Sequence, residues 1–352
     1  MTNVVAVIGC GRIARGAHFP ALSKIEGVRV KYACDIIEEK ALTMKEKHPI
    51  IENVITDYKV ALSDPEVDSV FVLTPNCMHY PITMDALKAG KNVLCEKPAT
   101  INYALSKKML NQAKKSGKKL CVGVCNRYNN AVELLKEKID NGDFGNIYQI
   151  YLSFRAFRSI PGLGGAFTDK SKSGGGVLMD WGVHYVDIAC YLLGDVKVKT
   201  ISCNTYNQIA KDMKSYKYTG MWAEDTKDVE NGVNDVDDFI TGFIRTNKAG
   251  ITLNGAWAQN VNKPESFIDI LGDKGGARLY YGDNFDFFDG QTLETTNSNL
   301  EIVNPWLVED KAFFEGINNK TKCKNEMSDV METMKILDGL YTSDKKQKEI
   351  KF

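Results

Sequence analysis

Two carboxylates and an imidazole stand inside an otherwise apolar run, GGGVLMDWGVHYVDIACYLLG, at residues 174–194. Asp180 and His184 are spaced i to i+4, and His184 and Asp187 i to i+3, so an α-helix puts all three on one stripe. Buried polar groups are costly unless each finds a partner. The pattern suits two outcomes. One is a core histidine held by a carboxylate. The other is a stripe facing a reacting molecule, where a neutral imidazole with a reference pKa of about 6.5 takes or gives a proton. A second candidate is Lys97 in CEKPAT, residues 95–100. Pro98 fixes the local backbone and drives Lys97 to an extended conformation. By spacing alone that lysine is equally compatible with ordinary surface.

The third candidate is built of glycine. GCGRIA, with Gly9, Gly11, Arg12, Ile13 and Ala14, has the G-x-G-x-x-A form of a dinucleotide fingerprint. Gly9 permits a tight turn, Gly11 lets the backbone approach a pyrophosphate, and Ala14 keeps the following helix close to the preceding strand. The pattern is weak alone and gains weight here because a strand precedes it and a helix follows. Asp35 ends the second strand, about 24 residues past Gly11. A carboxylate there accepts ribose hydroxyls and repels a 2′-phosphate, and Ile36 and Ile37 offer no cation to such a phosphate. NAD is therefore favoured over NADP. Asp35 suits a helix N-cap equally well, and the two roles can coexist.

Several elements must position these residues. NVVAVIG (3–9), VRVKYACD (28–35), DSVFVLT (68–74), KNVLCE (91–96) and KKLCVGV (118–124) read as short buried strands. They alternate with helical patterns at 12–24, 37–47, 78–89 and 101–116, which predicts a parallel sheet with crossovers. Thr74, Asn76 and His79 then follow one strand end, and Glu96 and Lys97 another. Ligands gather at such ends in doubly wound sheets. After residue 125 the texture changes. A helix is expected at 130–140, an alternating strand at 147–157 and a Gly- and Ser-rich loop at 158–176, ahead of the helix carrying His184. Strands are expected at 196–205, 235–246, 250–258, 265–271 and 276–281, forming an antiparallel sheet open on one face. The stretch 207–234 stays unassigned, and the end from Met327 reads as a helix and a polar tail.

Composition narrows the functions. The chain has 352 residues, 45 Lys and Arg against 45 Asp and Glu, and no net charge, which argues against nucleic acid or an anionic membrane as partner. No apolar run approaches the roughly 20 residues of a membrane span, and the start shows no signal-peptide pattern. The nine cysteines are scattered without a C-x-x-C pair, which fits reduced thiols in a cytoplasmic protein. Cys121 and Cys125 have no histidine nearby, so no metal site is expected.

The segments GCGRIA, TPNCMHYPITMDALKAGKNVLCEKPAT and GGGVLMDWGVHYVDIACYLLG, in this order, resemble the glucose–fructose oxidoreductase and inositol dehydrogenase family, Gfo/Idh/MocA. The resemblance is dense to about residue 194 and looser beyond. It implies an α/β protein with a Rossmann domain over 1–125, a doubly wound parallel sheet. A C-terminal α/β domain over 126–352, with a large, open, mostly antiparallel sheet, would bind substrate and form a homodimer or homotetramer. It implies a helix at the end of the chain that can pack back on the first domain, and one stripe of the His184 helix facing a cleft.

The resemblance also implies hydride transfer between NAD and a ring carbon of a sugar, inositol or glycoside. Lys97, Asp180 and His184 match the catalytic set. In that reading His184 is the base, Asp180 orients it or holds a hydroxyl, and Lys97 stabilises charge on the reacting oxygen; Lys97 and His184 can exchange roles. Asn76, His79 and Glu96 match positions near the cofactor. Asn126, Arg127 and Tyr128 match positions near the nicotinamide or substrate. Asp187 is assigned to support or packing, and Trp181 to lining the cleft or packing, with packing favoured. Arg155 and Arg158 suit substrate hydroxyls, a carboxylate or solvent. Trp222, Trp257 and Tyr280 are expected on the sheet face at an oligomer interface, and Asp237 and Asp238 as a strand-edge charge pair. Two other functions share these residues: redox-neutral glycoside cleavage through a transient keto-sugar, and NAD sensing without turnover.

Overall fold

The computed structural model describes residues 2–220, 222–223 and 226–352. They divide into two compact units, Met1–Tyr128 with Asn304–Met331, and Asn129–Val303 with Glu332–Phe352.

The first stretch runs β1 (Asn3–Ile8), α1 (a π-helical turn Ala14–His18 continuing as Phe19–Leu22), β2 (Val28–Cys34), α2 (Glu38–Lys47), β3 (Ile51–Ile55), α3 (Tyr58–Ser63), β4 (Ser69–Val72), α4 (Asn76–Lys88), β5 (Asn92–Glu96), α5 (Tyr103–Ser116), β6 (Leu120–Gly123) and a 3₁₀ turn Cys125–Tyr128. The strands form a parallel six-stranded sheet in the order β3-β2-β1-β4-β5-β6. β1 and β4 are almost wholly buried, as continuous apolar runs between two helical layers should be. The chain leaves β1 in opposite directions across the sheet, so the crevice between the ends of β1 and β4 is the topological switch point where ligands bind in such folds.

The second stretch adds α6 (Asn130–Asp140), β7 (Ile147–Arg155), α7 (Lys170–Ser173), a π-helical turn Leu178–Gly182 leading into α8 (Val183–Leu193), β8 (Val198–Tyr206), β9 (Phe239–Thr246), β10 (Gly250–Ala256), β11 (Glu265–Gly272), β12 (Gly275–Tyr280), β13 (Phe285–Asp289) and β14 (Thr295–Asn297). Then come α9 (Pro305–Asn318), α10 (Met327–Lys346) and β15 (Ile350–Lys351). The nine-stranded sheet runs β14-β13-β12-β11-β7-β10-β9-β8-β15. Its pairs are antiparallel except β7 with β10. α8 buries Tyr185, Val186, Ile188, Ala189 and Leu192, and Tyr185 packs on Phe154 of β7 with ring centroids 4.8 Å apart. Burying each such side chain stabilises by about 1.5–3 kcal/mol.

α9 belongs to the first unit. Asn304 caps it, accepting hydrogen bonds from the Trp306 and Leu307 N–H groups, and Pro305 opens it. Phe313 and Phe314 bury against Phe71 of β4, with centroids 5.5 and 5.7 Å away. β3, α3, α9 and β13–β15 go beyond the sequence expectation. The expected polar tail instead ends as β15, which pairs with β8.

The expected loop at 158–176 is packed rather than loose. Ile160 and Leu163 are buried. The Asp228 N–H donates to the Leu163 carbonyl at 3.0 Å, and Gly164 bridges Val233. This loop and the unassigned 207–234 stretch therefore order one another.

Candidate active site

At the end of β1, Gly9 adopts φ +98, and a Cβ there would lie 2.5 Å from the Leu73 carbonyl oxygen. Only glycine fits so close to the end of β4. Gly11 is the reverse case, since a Cβ would meet nothing within 4 Å. Arg12 is exposed and Ile13 half-buried at the start of α1. Asp35, just past β2, accepts the Cys10 N–H and the Ile37 N–H, each at 2.9 Å. It thereby ties the glycine turn to the second strand end, and each oxygen keeps a lone pair for a further donor. The Thr74 hydroxyl oxygen, past β4, is buried and has no hydrogen-bond partner among the described residues. Open space at Gly11 and this orphan hydroxyl at the switch point fit a bound dinucleotide.

Asn76 begins α4. His79, one turn further, is buried, with Nδ1 2.8 Å from the Pro98 carbonyl and Nε2 2.8 Å from the Thr74 carbonyl. Burial holds its pKa below the usual imidazole range. The two carbonyls work against that, and a neutral ring donates to only one of them, so His79 packs between the loops leaving β4 and β5 and hydrogen-bonds one. Glu96 is buried at the end of β5, and Lys97 is half-buried beside it. The Lys97 N–H donates to Glu96 Oε2 at 3.0 Å, and the Lys97–Pro98 peptide is cis.

In the second unit, Gly176 lies so close to Asp237 that a Cβ would fall 1.9 Å from its carbonyl oxygen. The Asp237 carboxylate accepts the Gly176 and Leu178 N–H groups at 2.8 and 3.1 Å and the Tyr341 hydroxyl at 2.8 Å. It fixes the start of the helical segment that carries the polar residues. Burial raises its pKa, and these donors work against that. Asp238 accepts the Gln208 and Ile209 N–H groups at 3.0 and 2.8 Å. The pair is therefore structural rather than a strand-edge charge pair.

The π-helical turn Leu178–Gly182 breaks the single stripe expected of a regular α-helix, because an i→i+5 turn shifts the phase of everything before it. Asp180 lies within that turn and is buried; His184 follows it and is half-buried. Asp187 points elsewhere, accepting the Thr333 hydroxyl of α10 at 2.9 Å, so it is a packing residue.

His184 lines a cavity of about 350 Å³ with Phe154, Arg155, Trp181, Tyr185, Glu265 and Tyr281 among its walls. Trp181 therefore lines the cavity as well as packing edge-on to Trp257 at 6.5 Å. Arg155 pairs with Glu265 at 2.5 Å, while its Nε is buried with no partner among the described residues. Arg158 instead bonds Asn260 outside this cavity. A mostly aromatic wall with a few convergent polar groups is the usual make-up of a small-molecule site.

Arg127 and Tyr128, expected near the nicotinamide or substrate, are buried and engaged by the 324–329 segment: Arg127 donates to the Lys324 and Asp329 carbonyls at 2.7 and 3.1 Å, and Tyr128 to Asn325 Oδ1 at 2.9 Å. Asn126 is buried in the same 3₁₀ turn. Trp257, expected at an oligomer interface, is fully buried within its own unit. Trp222 packs edge-on against Phe167 at 4.6 Å, and only Tyr280 of the three lies on the exposed sheet face.

The sequence reading passed over His18. It lies in the first unit's interior with Nδ1 3.0 and 3.1 Å from the two Asp310 oxygens and Nε2 3.2 Å from Glu96 Oε1. Its partner stands 292 residues away on a helix the sequence reading did not place, so no local pattern could mark it.

A parallel sheet with a glycine turn at its switch point, joined to an open mixed sheet, defines a two-part dinucleotide-dependent oxidoreductase. The chain belongs to the Gfo/Idh/MocA family. Residues 4–124 match its oxidoreductase family model with an NAD-binding Rossmann fold, and residues 132–278 its C-terminal domain. The chain is 30% identical over 320 residues to a D-glucoside 3-dehydrogenase of Escherichia coli K12, spanning 90% of this chain and 88% of that one. It is 30% identical over 191 residues to a myo-inositol 2-dehydrogenase of Thermotoga maritima, spanning 54% of this chain and 55% of that one. The structure of a levoglucosan dehydrogenase complexed with NADH and levoglucosan shares the fold at a TM-score of 0.86 and 20% identity, spanning 100% of this chain and 99% of that one. The protein is thus an NAD-binding oxidoreductase. No helix among the described residues is long and apolar enough to cross a membrane.

Proposed function

We propose that this protein is an NAD-dependent dehydrogenase that oxidises a secondary hydroxyl on the ring of a glucoside or related sugar or inositol. The observation that carries the reading is the cavity where His184 stands among Trp181, Tyr185 and Tyr281. Aromatic faces pack on the apolar C–H face of a sugar ring, and a few polar groups fix its orientation. The similarity to the D-glucoside 3-dehydrogenase favours a glycoside.

When bound, NAD accepts the hydride. Gly9, Gly11, Arg12, Ile13, Asp35, Thr74, Asn76 and Asn126 are the positions assigned to hold it, while His79 and Glu96, engaged by the protein's own groups, shape the strand ends beside it. His184 takes the hydroxyl proton, with Asp180 orienting it, and Lys97 donates a hydrogen bond to the oxygen on which negative charge develops. Arg155, paired with Glu265, lines the same cavity and is assigned to the substrate's oxygens. Residues 1–125 are assigned the nucleotide and 126–352 the substrate and self-association.

Exposed Tyr148, Tyr280, Phe288 and Leu293 line one shallow depression on the nine-stranded sheet. A homodimer or homotetramer through this face would cover it, and light scattering on the purified protein tests that assembly. Nine free thiols, eight of them buried, suit a reducing cytoplasm.

The deciding experiment follows absorbance at 340 nm with NAD and a panel of O-glycosides, free hexoses, uronic acids and inositols. Growth with a glycoside is expected. Lys97→Met and His184→Ala should each keep NAD binding and lose about 10²-fold or more in turnover. A flat trace with substrate consumed would instead indicate redox-neutral cleavage, and full turnover in both variants would overturn the assigned roles.

A further inference from the structure

Three titratable side chains outside the cofactor turn and the cavity meet inside the first unit: His18 from α1, Glu96 from β5 and Asp310 from α9. His18 and Asp310 have no exposed surface, and Glu96 has 5%. Burial raises the Asp310 pKa, and His18 works against that. Where both carboxyls are ionised, both ring nitrogens donate and the ring is an imidazolium. Burial works against that charge, but Asp310 and Glu96 outweigh it and raise the pKa well above the ordinary value. Glu309 stands next to Asp310 on α9 and accepts from Asn325 at 3.0 Å; burial and the neighbouring carboxylates push its pKa up. The buried Cys125 thiol, also pushed up by burial, completes the titratable surroundings.

Neither usual use of such a cluster fits. No group of three or more His, Cys, Asp and Glu among the described residues is arranged to hold a metal ion. A ring without exposed surface cannot touch substrate. What the cluster does reach is the neighbouring main chain. Glu96 presents Oε1 to His18 at 3.2 Å and Oε2 to the Lys97 N–H at 3.0 Å. Gly123 of β6 closes the other side, where a Cβ would sit 2.7 Å from Glu96 Oε1. The carboxylate is therefore gripped at both oxygens, and one grip is the residue that presents the Lys97 side chain.

We propose that His18, held by Asp310, is a positioning residue for Lys97: it locks the Glu96 carboxylate and, through it, the backbone from which Lys97 projects. The inference rests on the reading of Lys97 as donor to the reacting oxygen. Catalytic groups must be held to within about 0.5 Å by supporting hydrogen bonds, and a misplacement of about 1 Å can cost about 10²-fold in rate.

The test is a double-mutant cycle on the full-length protein with the glycoside that gives NADH. His18→Gln and Asp310→Asn are each made alone and with Lys97→Met, using enough enzyme to keep residual rates above background. Each single variant is expected to lower kcat about 10- to 100-fold while KM for the sugar and Kd for NAD move less than about threefold. On the Lys97→Met background the same changes should cost less than about twofold, because the interaction they support is already gone. Asp310→Asn keeps size and shape, so it carries the test if His18→Gln does not fold. Unchanged kcat in a folded variant, an equal loss with and without Lys97, or a parallel loss of NAD affinity would each overturn the proposal. Wild-type turnover in Lys97→Met alone would instead remove the Lys97 reading beneath it, a separable result.

Discussion

Replacing His18 with glutamine should do more to the stability of the first unit than almost any other single polar change. The imidazolium makes charge-assisted contacts at 3.0 and 3.1 Å to Asp310 and 3.2 Å to Glu96. All three groups are buried, so their loss leaves two carboxylates facing each other without a counter-charge. Removing one member of a buried ion pair costs about 3–5 kcal/mol. The pH dependence has a definite sign. The folded pKa of His18 is raised above its unfolded value of about 6.5. Its contribution is therefore fully present below that value and is lost as pH rises through the higher folded pKa. Urea unfolding of the wild type and His18→Gln at pH 6, 7.5 and 9 measures this. The first unit's transition is identified by its shift on adding NAD. The gap should be about 3–5 kcal/mol at pH 6 and should shrink toward alkaline pH. A gap under about 1 kcal/mol at pH 6, the size of a surface pair, or one that widens with pH, would refute the buried imidazolium.

Gly11→Val should leave the melting temperature close to wild type, since nothing lies within 4 Å of the new Cβ, yet weaken NAD binding measured by fluorescence titration by about tenfold or more. Gly9→Ala meets the Leu73 carbonyl at 2.5 Å and a left-handed φ, so circular dichroism melts should show a loss of more than about 1 kcal/mol. Asp237→Ala strands two N–H groups and a buried hydroxyl, and denaturant unfolding should show a loss of about 3 kcal/mol or more, at about 1–3 per orphaned group. Asp35→Asn keeps an acceptor for the Cys10 N–H but removes the charge, so the ratio of NADP to NAD affinity should rise about tenfold. An unchanged ratio would show that Asp35 acts only as a turn anchor.

Much of this protein was legible in local pattern. Short apolar strands at 3–9 and 68–74, and an alternating one at 28–35, with helical patterns between them pointed to a covered parallel sheet. The glycine turn was equally local: Gly9 and Gly11 sit where one strand ends and one helix begins, so the chemistry is contained in a few consecutive residues. The spacing of Asp180, His184 and Asp187 was legible too, but not its meaning. A π-helical turn, which periodicity cannot announce, separates Asp180 and His184 from a common α-helical register, and Thr333 takes Asp187. β3, at Ile51–Ile55, carries Glu52 and Asn53 within its run and so does not stand out from its flanks.

What tertiary structure alone decided are the partnerships across long stretches of chain. Arg127 and Tyr128, which the resemblance matches to positions near the nicotinamide or substrate, anchor residues 324–329. Asp237 read as an edge charge, yet it caps the segment that bears His184. Trp257 read as interface and is core. His18 carried no signal at all until α9 brought Asp310 to it from 292 residues away. Sequence periodicity reports which face of an element is apolar; it carries no record of which distant donor a buried acceptor meets. For buried polar groups that partner determines both cost and role.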